Sequence, residues 1–373
     1  MKILSLNYEF PPLGGGAGYV TKAINKILVG KGIHVDLVTM HYNGLKETEI
    51  VDGVRVYRIK SLRKKLETCQ TPEMLSFVFA AAFFVLKLTA FSGYDLVHSH
   101  FAIPTGIIAY LLKKKRNLKY IISVHGSDVP GYNPDRFTFE HRFTRSLLRL
   151  IMKNSSMVVP LSYYLKNLIE CNISSGLPMR IITNGIEPDA FSVAADRKNM
   201  ILMTGRLLPR KGFQYALLAL EDVLLPGWEV HIAGDGPYRV RLEELAKKSR
   251  CKIIFHGWLD RGSQKLKRLY EESKIFILPS EVENAPISLL EGMNAGLAVI
   301  TTNAAGCSEI AEDAALFVNP RDAGGIKKAL LKLAGDEALI RKMGDRARAR
   351  TRERFSWETI TERYIDLYKE VIG

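Results

Sequence analysis

Cysteine is scarce in this 373-residue chain, and its four copies, Cys69, Cys171, Cys251 and Cys307, form no CxxC pair. That spacing excludes a disulfide framework or a cysteine-based zinc site and predicts ordinary buried thiols. Low-complexity stretches are also missing. With 47% hydrophobic and 25% charged residues, the chain can bury a core rather than stay disordered. No charged leader and long apolar run precede the strand-like MKILSLN, so a cytoplasmic location is expected. The apolar run Phe77 to Leu86 has only ten residues before Lys87. A membrane-spanning helix needs about 20, so the run reads as a core helix or one touching a membrane surface.

Two nucleotide signatures are absent as well. Without a GxxxxGK[ST] phosphate loop, a nucleotide-hydrolysing motor is not expected. GGGAG does follow the first strand, but a dinucleotide fingerprint built on Gly14 and Gly16 requires a third glycine where Tyr19 stands, and no acid ends the second strand. Acidic residues are in deficit: 39 Asp and Glu face 53 Lys and Arg, a net charge of +14 that favours an anionic partner. The surplus is uneven, since residues 1–190 carry 24 basic and 14 acidic side chains, whereas 191–373 carry 29 and 25. Clusters at Arg63, Lys64 and Lys65 and at Lys113, Lys114, Lys115 and Arg116 read either as solvated helix ends or as contacts for an anionic membrane or acceptor.

The rest of the sequence is a rhythm of short apolar runs and helical patterns. ILSLN, VDLVT, VRVYRI, DLVHSH, YIISVHG and MVVPLS mark strands of a first parallel sheet; MILMTGR, WEVHIAGDG, KIIFHGW, KIFILPS and AVITT mark a second. Each sheet predicts a doubly wound α/β domain with ligands beyond the C-terminal strand ends. Residues 184–198 (NGIEPDAFSVAADRK) carry Gly, Pro and charge without apolar period and read as a linker. The domains are therefore expected at 1–190 and 191–355. A terminal helix follows at 356–373, with Ser356 as N-cap and Glu358 close behind.

Chemistry should gather at two places in the second half. In ENAPISLLE, Glu283 and Glu291 lie eight residues apart just past a strand. A helix opening near Pro286, with Pro286 in its first turn, would turn free amides of Ile287 and its successors toward an anion. Glu291, further in, can accept from ribose hydroxyls, and Glu283 from sugar hydroxyls. In TGRLLPRKGF, Arg206 and Lys211 frame a strand-to-helix turn, where a guanidinium fork and an ammonium can neutralise a diphosphate. Two such glutamates are common on solvated helices, and basic turns are common on surfaces; position at the strand ends favours the functional reading. His98 and His100 end a strand too, but packing and local hydrogen bonds satisfy most histidines so placed.

GRLLPRKGF, AGDGP (233–237), FHGWLD (255–260) and LPSEVENAPISLLEGMNAGLAVI (278–300) occur in the order and spacing of the family 4 glycosyltransferases, and PPLGGGAGYV, HSHFAIPTG, VHGSD and TNGIEPDAF resemble that family's blocks in the first half. The resemblance covers nearly the whole chain. It implies the GT-B architecture, two Rossmann-like domains facing a deep interdomain cleft, with the C-terminal helix returning to the N-terminal, acceptor-binding domain. It implies retaining hexosyl transfer from a nucleotide-sugar donor, with neither metal nor other cofactor, to a glycan or lipid-linked acceptor, and no nucleic-acid partner. Arg206 and Lys211 would hold the donor pyrophosphate, Glu291 the ribose and Glu283 the sugar, with Ala285, Pro286 and Ile287 beside them. His125 would lie near the anomeric centre, Gly15 and Gly16 against phosphates or acceptor, and Gly257 and Trp258 at the base; Asp128 is a further candidate without an assigned role. The family's EGFG is replaced by Glu283, Asn284, Ala285 and Pro286, so the donor sugar is not inherited. AAGCSE (304–309) departs from its commoner glycine-rich form, which leaves Glu309 without an inherited role. A GT-B sugar-nucleotide epimerase and a non-catalytic sugar-nucleotide binding protein are the alternatives.

Overall fold

The computed structural model describes residues 1–66, 68–132, 138–192, 196–304 and 306–373, with the side chains of 138–143 outside the description. Among the described residues, thirteen strands form two sheets. The first comprises β1 (Lys2–Leu6), β2 (His34–Met40), β3 (Thr48–Val51), β4 (Val54–Ile59), β5 (Leu96–His100), β6 (Tyr120–Val124) and β7 (Met157–Pro160), in spatial order β3-β4-β2-β1-β5-β6-β7. The second comprises β8 (Met200–Thr204), β9 (Glu229–Ala233), β10 (Lys252–Gly257), β11 (Ile275–Leu278), β12 (Ala298–Thr302) and β13 (Ala315–Val318), in order β10-β9-β8-β11-β12-β13. Central strands such as LVHSH, YIISV, MILMT and AVITT are buried at every position. Strands covered by helices on both faces read as such unbroken runs.

The chain separates into two compact units, residues 1–184 with 357–373, and residues 185–356. The boundary thus lies six residues before the expected 190/191, and Ser356 belongs to the second unit. Local bonds account for this: Ile186 bridges to Ser356, Asn294 Nδ2 donates to the Glu187 carbonyl, and Arg197 donates to the Ser273 and Ala295 carbonyls. The segment read as a linker is therefore built into the second unit from Gly185 onward, except residues 193–195, which lie outside the described residues, while Asn184 closes the first unit. The Trp357–Ile372 helix packs in the first unit, where Tyr364 and Tyr368 are buried and Tyr368 Oη meets His98 Nδ1 at 2.7 Å.

Other expectations need correction. The first sheet is not wholly parallel: β3 runs antiparallel to β4 through Asp52 and Gly53, both at positive φ. An Asp-Gly pair between alternating residues is a hairpin signal, and VDGV carried it. Cys171 is exposed, unlike the other three cysteines. The ten-residue apolar run is the middle of a 21-residue helix, Thr71–Phe91, long and apolar enough to cross a membrane by length and composition. Run length underestimated it because Leu75, Leu88 and Phe91 continue the apolar pattern beyond single polar residues.

Candidate active site

In each sheet the chain builds outward on one side of its first strand, then returns to build on the other. The reversal falls between β1 and β5 in the first unit and between β8 and β11 in the second. Adjacent loops diverge at such points and leave a crevice at the strand ends, where ligands of open α/β sheets bind.

At the second reversal, β8 leads into Gly205 and exposed Arg206, then a single 3-10 turn, Pro209–Lys211. Gly212 follows at φ +72°, and a Cβ there would lie 1.9 Å from the Pro279 carbonyl oxygen at the end of β11. Only glycine allows so close an approach of the two loops. The amide of Glu281 closes the contact by donating to the Arg210 carbonyl at 2.8 Å.

This approach sets Lys211 Nζ 2.5 Å from Glu283 Oε1, with Ser280 Oγ donating to the same oxygen at 2.8 Å. Both partners are largely withdrawn from water, the side chains being 17% and 7% exposed. Arg206, by contrast, has no carboxylate partner among the described residues. Pro286 caps the helix Ile287–Asn294 rather than occupying its first turn, because its extended ψ of 115° precedes the helical backbone. Ala285 and Pro286 are buried, while Ile287 and Ser288 are partly exposed, and their amides precede the bond from Leu289 N to the Pro286 carbonyl. Such amides give a helix start its partial positive charge.

Glu291 lies one turn further, its side chain 13% exposed. Tyr270 Oη donates to it at 2.9 Å, and Arg261 Nε stands 3.4 Å away. Burial pushes the Glu291 carboxyl above its ordinary range, against the pull of Arg261 and Tyr270. Tyr270, itself bonded to Thr204 Oγ1 at 2.6 Å, joins the end of β8 to this acid. Neither Tyr270 nor Arg261 stood out in the sequence, since each is one residue of an ordinary helical or turn pattern. Gly306 was also missed: at φ +83°, its added Cβ would lie 2.2 Å from the Asn284 carbonyl, so it backs the Glu283 loop. The preceding Ala305 of AAGCSE lies outside the described residues. Glu309 presents its carbonyl to Arg350 Nη2. Gly257 ends the edge strand β10, and Trp258 beyond it is 66% exposed, its Nε1 donating to Asp260.

The first reversal carries different chemistry. Gly15 and Gly16 are exposed at the start of the Gly16–Gly30 helix, and the Gly15 amide donates to Glu9 Oε2 at 3.2 Å. His125, just past β6, lies tilted against Phe101 with centroids 4.7 Å apart and stacks on His100, its Nε2 3.3 Å from His100 Nδ1. Burial pushes the imidazoles of His98 and His125 down to about 3, and that of His100 well below its ordinary value. These three rings are therefore neutral at physiological pH. His98 is satisfied by Tyr368 and Ser123, the packing role expected of most such histidines. Asp128 accepts the amides of His125, Gly126 and Ala102, at 3.1, 3.1 and 2.9 Å, and so ties the loops after β5 and β6 together. Among the described residues, no three His, Cys, Asp or Glu side chains gather to hold a metal ion.

Residues 14–190 match the model of glycosyltransferase family 4, and residues 186–350 that of the glycosyl transferases group 1. The chain belongs to the group 1, family 4 glycosyltransferases. An uncharacterized glycosyltransferase of Methanocaldococcus jannaschii is 27% identical to it, the alignment covering 99% of this chain and 98% of that one. Sucrose-phosphate synthase from Thermosynechococcus elongatus superposes with a TM-score of 0.85 at 21% identity, over 99% of this chain and 98% of the other. HepE of Anabaena, solved in complex with UDP-glucose, superposes with a TM-score of 0.75 at 15% identity, over 99% and 100% of the two chains. The glycosyltransferase thus has the GT-B fold.

Proposed function

We propose that this glycosyltransferase moves a hexose from a nucleotide-diphospho-sugar, a UDP- or GDP-sugar, to a glycan or lipid-linked acceptor with retention of anomeric configuration, in the cytoplasm and without a metal. The observation that supports it most is the convergence of Arg206, the Lys211–Glu283 pair and the amide end of the Ile287–Asn294 helix on one strand reversal. Negative charge grows on a leaving diphosphate as the bond from the sugar C1 to the phosphate oxygen breaks, and fixed positive groups there lower the barrier. The UDP-glucose held by HepE supports the donor class.

In this reading the diphosphate draws Lys211 from Glu283, leaving a Glu283 oxygen for a sugar hydroxyl. Glu291 accepts from the ribose, and Trp258 and Gly257 border the base. The acceptor oxygen bonds to C1 on the face the phosphate leaves, and its proton passes to the departing phosphate oxygen.

A thermal-shift panel of UDP, GDP, ADP and their sugars tests the donor. One base should raise the melting temperature, a ligand at a hundred times its Kd adding about 2.7 kcal/mol. Product anomers read by proton NMR, with EDTA present, should keep the donor configuration. Interconversion of the nucleotide-sugar without an acceptor would replace transfer by epimerisation. Binding with no nucleotide release to any acceptor would leave a binding protein.

A further inference from the structure

The Thr71–Phe91 helix of the first unit is apolar on two faces. Met74, Phe77, Ala81 and Val85 are buried in the core. Leu75, Phe79 and Phe83, spaced one turn apart on another face, are 51%, 75% and 77% exposed, and Phe91 ends the helix at 85%. A surface helix ordinarily sets polar side chains opposite its buried stripe. Contiguous aromatic exposure of this kind marks a surface that meets an apolar partner.

The charge around the stripe identifies the partner. At the first turns, the basic segment is tied down by Leu62 N donating to Ser76 Oγ at 2.9 Å and Lys64 N donating to Glu73 Oε1 at 2.7 Å. Lys64 and Lys65 are exposed there. At the last turns, Arg116 Nη2 donates to the Leu86 carbonyl at 3.2 Å, which brings the basic end of the Thr105–Arg116 helix, with exposed Lys114 and Lys115, alongside Lys87. The Thr71–Phe91 helix has one acid, Glu73, and its carboxylate is buried on the amides of Lys64 and Gln70. An aromatic stripe with cations at both ends, on a helix with no outward acid of its own, matches an anionic bilayer, whose acyl boundary takes the rings and whose headgroups take the ammoniums.

We propose that this face docks on an anionic lipid bilayer, with Leu75, Phe79 and Phe83 entering the acyl boundary and Lys64, Lys65 and Lys87 meeting headgroup phosphates. The helix lies in the membrane plane and does not cross it, because Phe77, Ala81 and Val85 are fully buried in the first unit's core. The inference rests on this surface alone and is independent of the transfer reaction.

The test is co-sedimentation of the full chain with vesicles of phosphatidylcholine and phosphatidylglycerol in equal parts, and with vesicles of phosphatidylcholine alone. Binding should favour the anionic vesicles and weaken in high salt. Phe79→Ser and Phe83→Ser should each lower partitioning about tenfold, and Lys64→Ala and Lys65→Ala about fivefold each, with unchanged circular dichroism melts. Equal sedimentation with both vesicle types, or wild-type binding by the Phe79→Ser/Phe83→Ser variant, would overturn the proposal. So would failure to bind vesicles together with a dimer in sedimentation equilibrium that the same variant disperses, since the face would then belong to a second copy of the chain.

Discussion

The two strand reversals share one topology and differ in charge. In the first unit, β5 and the loop after β6 gather three histidines that burial keeps neutral, and an aspartate bonded to backbone amides. In the second, the loops after β8 and β11 hold a lysine and a glutamate in contact and an exposed arginine, and the helix Ile287–Asn294 carries a second glutamate beside a tyrosine and an arginine. The same crevice is lined once by neutral rings and an amide-bound aspartate, and once by charged side chains. Fold alone does not decide which; the side chains at the strand ends do.

The sharpest way to break this contrast is to remove its cation. Lys211→Ala should lower kcat about a hundredfold to a thousandfold, the effect of losing one preorganised charge at a leaving group. It also leaves Glu283 buried without its partner, which destabilises the fold. The double variant Lys211→Ala/Glu283→Gln should recover stability in urea titrations without recovering rate. Full turnover by the single variant would mean that the positive charge serves only Glu283.

Smaller effects follow from how the loops are held. Gly212→Ala places a Cβ against the Pro279 carbonyl at positive φ and should cost the second unit about 2–4 kcal/mol in denaturant unfolding. Gly15→Ala in the first unit meets nothing within 4 Å, so its stability should change by less than about 1 kcal/mol. Equal losses would show that the second crevice is no more tightly stitched than the first.

A separate expectation concerns pH dependence. Histidines with depressed folded pKa values bind fewer protons than the unfolded chain between about 3 and 6.5. Their contribution to stability is full above that window and is lost as pH falls through it, each realised unit being worth about 1.4 kcal/mol. Asp128, raised to about 6 by burial, acts with opposite sign, its contribution growing as pH falls from 6 toward 3.8. Three histidines outweigh one aspartate, so amide exchange should open β5 and β6 before β8 and β11 on acidification. The reverse order would remove the neutral-cluster account.

Much of this was legible in the chain itself because the relevant signals are local. ILSLN, DLVHSH and MILMTGR announce buried parallel strands through unbroken apolar character, and GRLLPRKGF and ENAPISLLE carry their loop chemistry within ten residues. Contacts distant in sequence were not legible. Nothing in FHGWLDRGS or KLKRLYEES shows that Arg261 and Tyr270 will meet Glu291, or that Gly306 must be small to back Asn284. Apolar count could not separate the two faces of the Thr71–Phe91 helix, since Phe77 and Phe79 are the same residue type at 0% and 75% exposure. The hairpin at Asp52 and Gly53 was readable from its turn pair.

The helix that returns to the first unit bears on how the molecule is made. Tyr364 and Tyr368, which bond Ser123 and His98 inside that unit, are encoded after all of the second. As the chain leaves the ribosome, the first sheet must wait through the synthesis of its neighbour before its last layer arrives. The second unit, contiguous in sequence, can finish folding first although it is begun later.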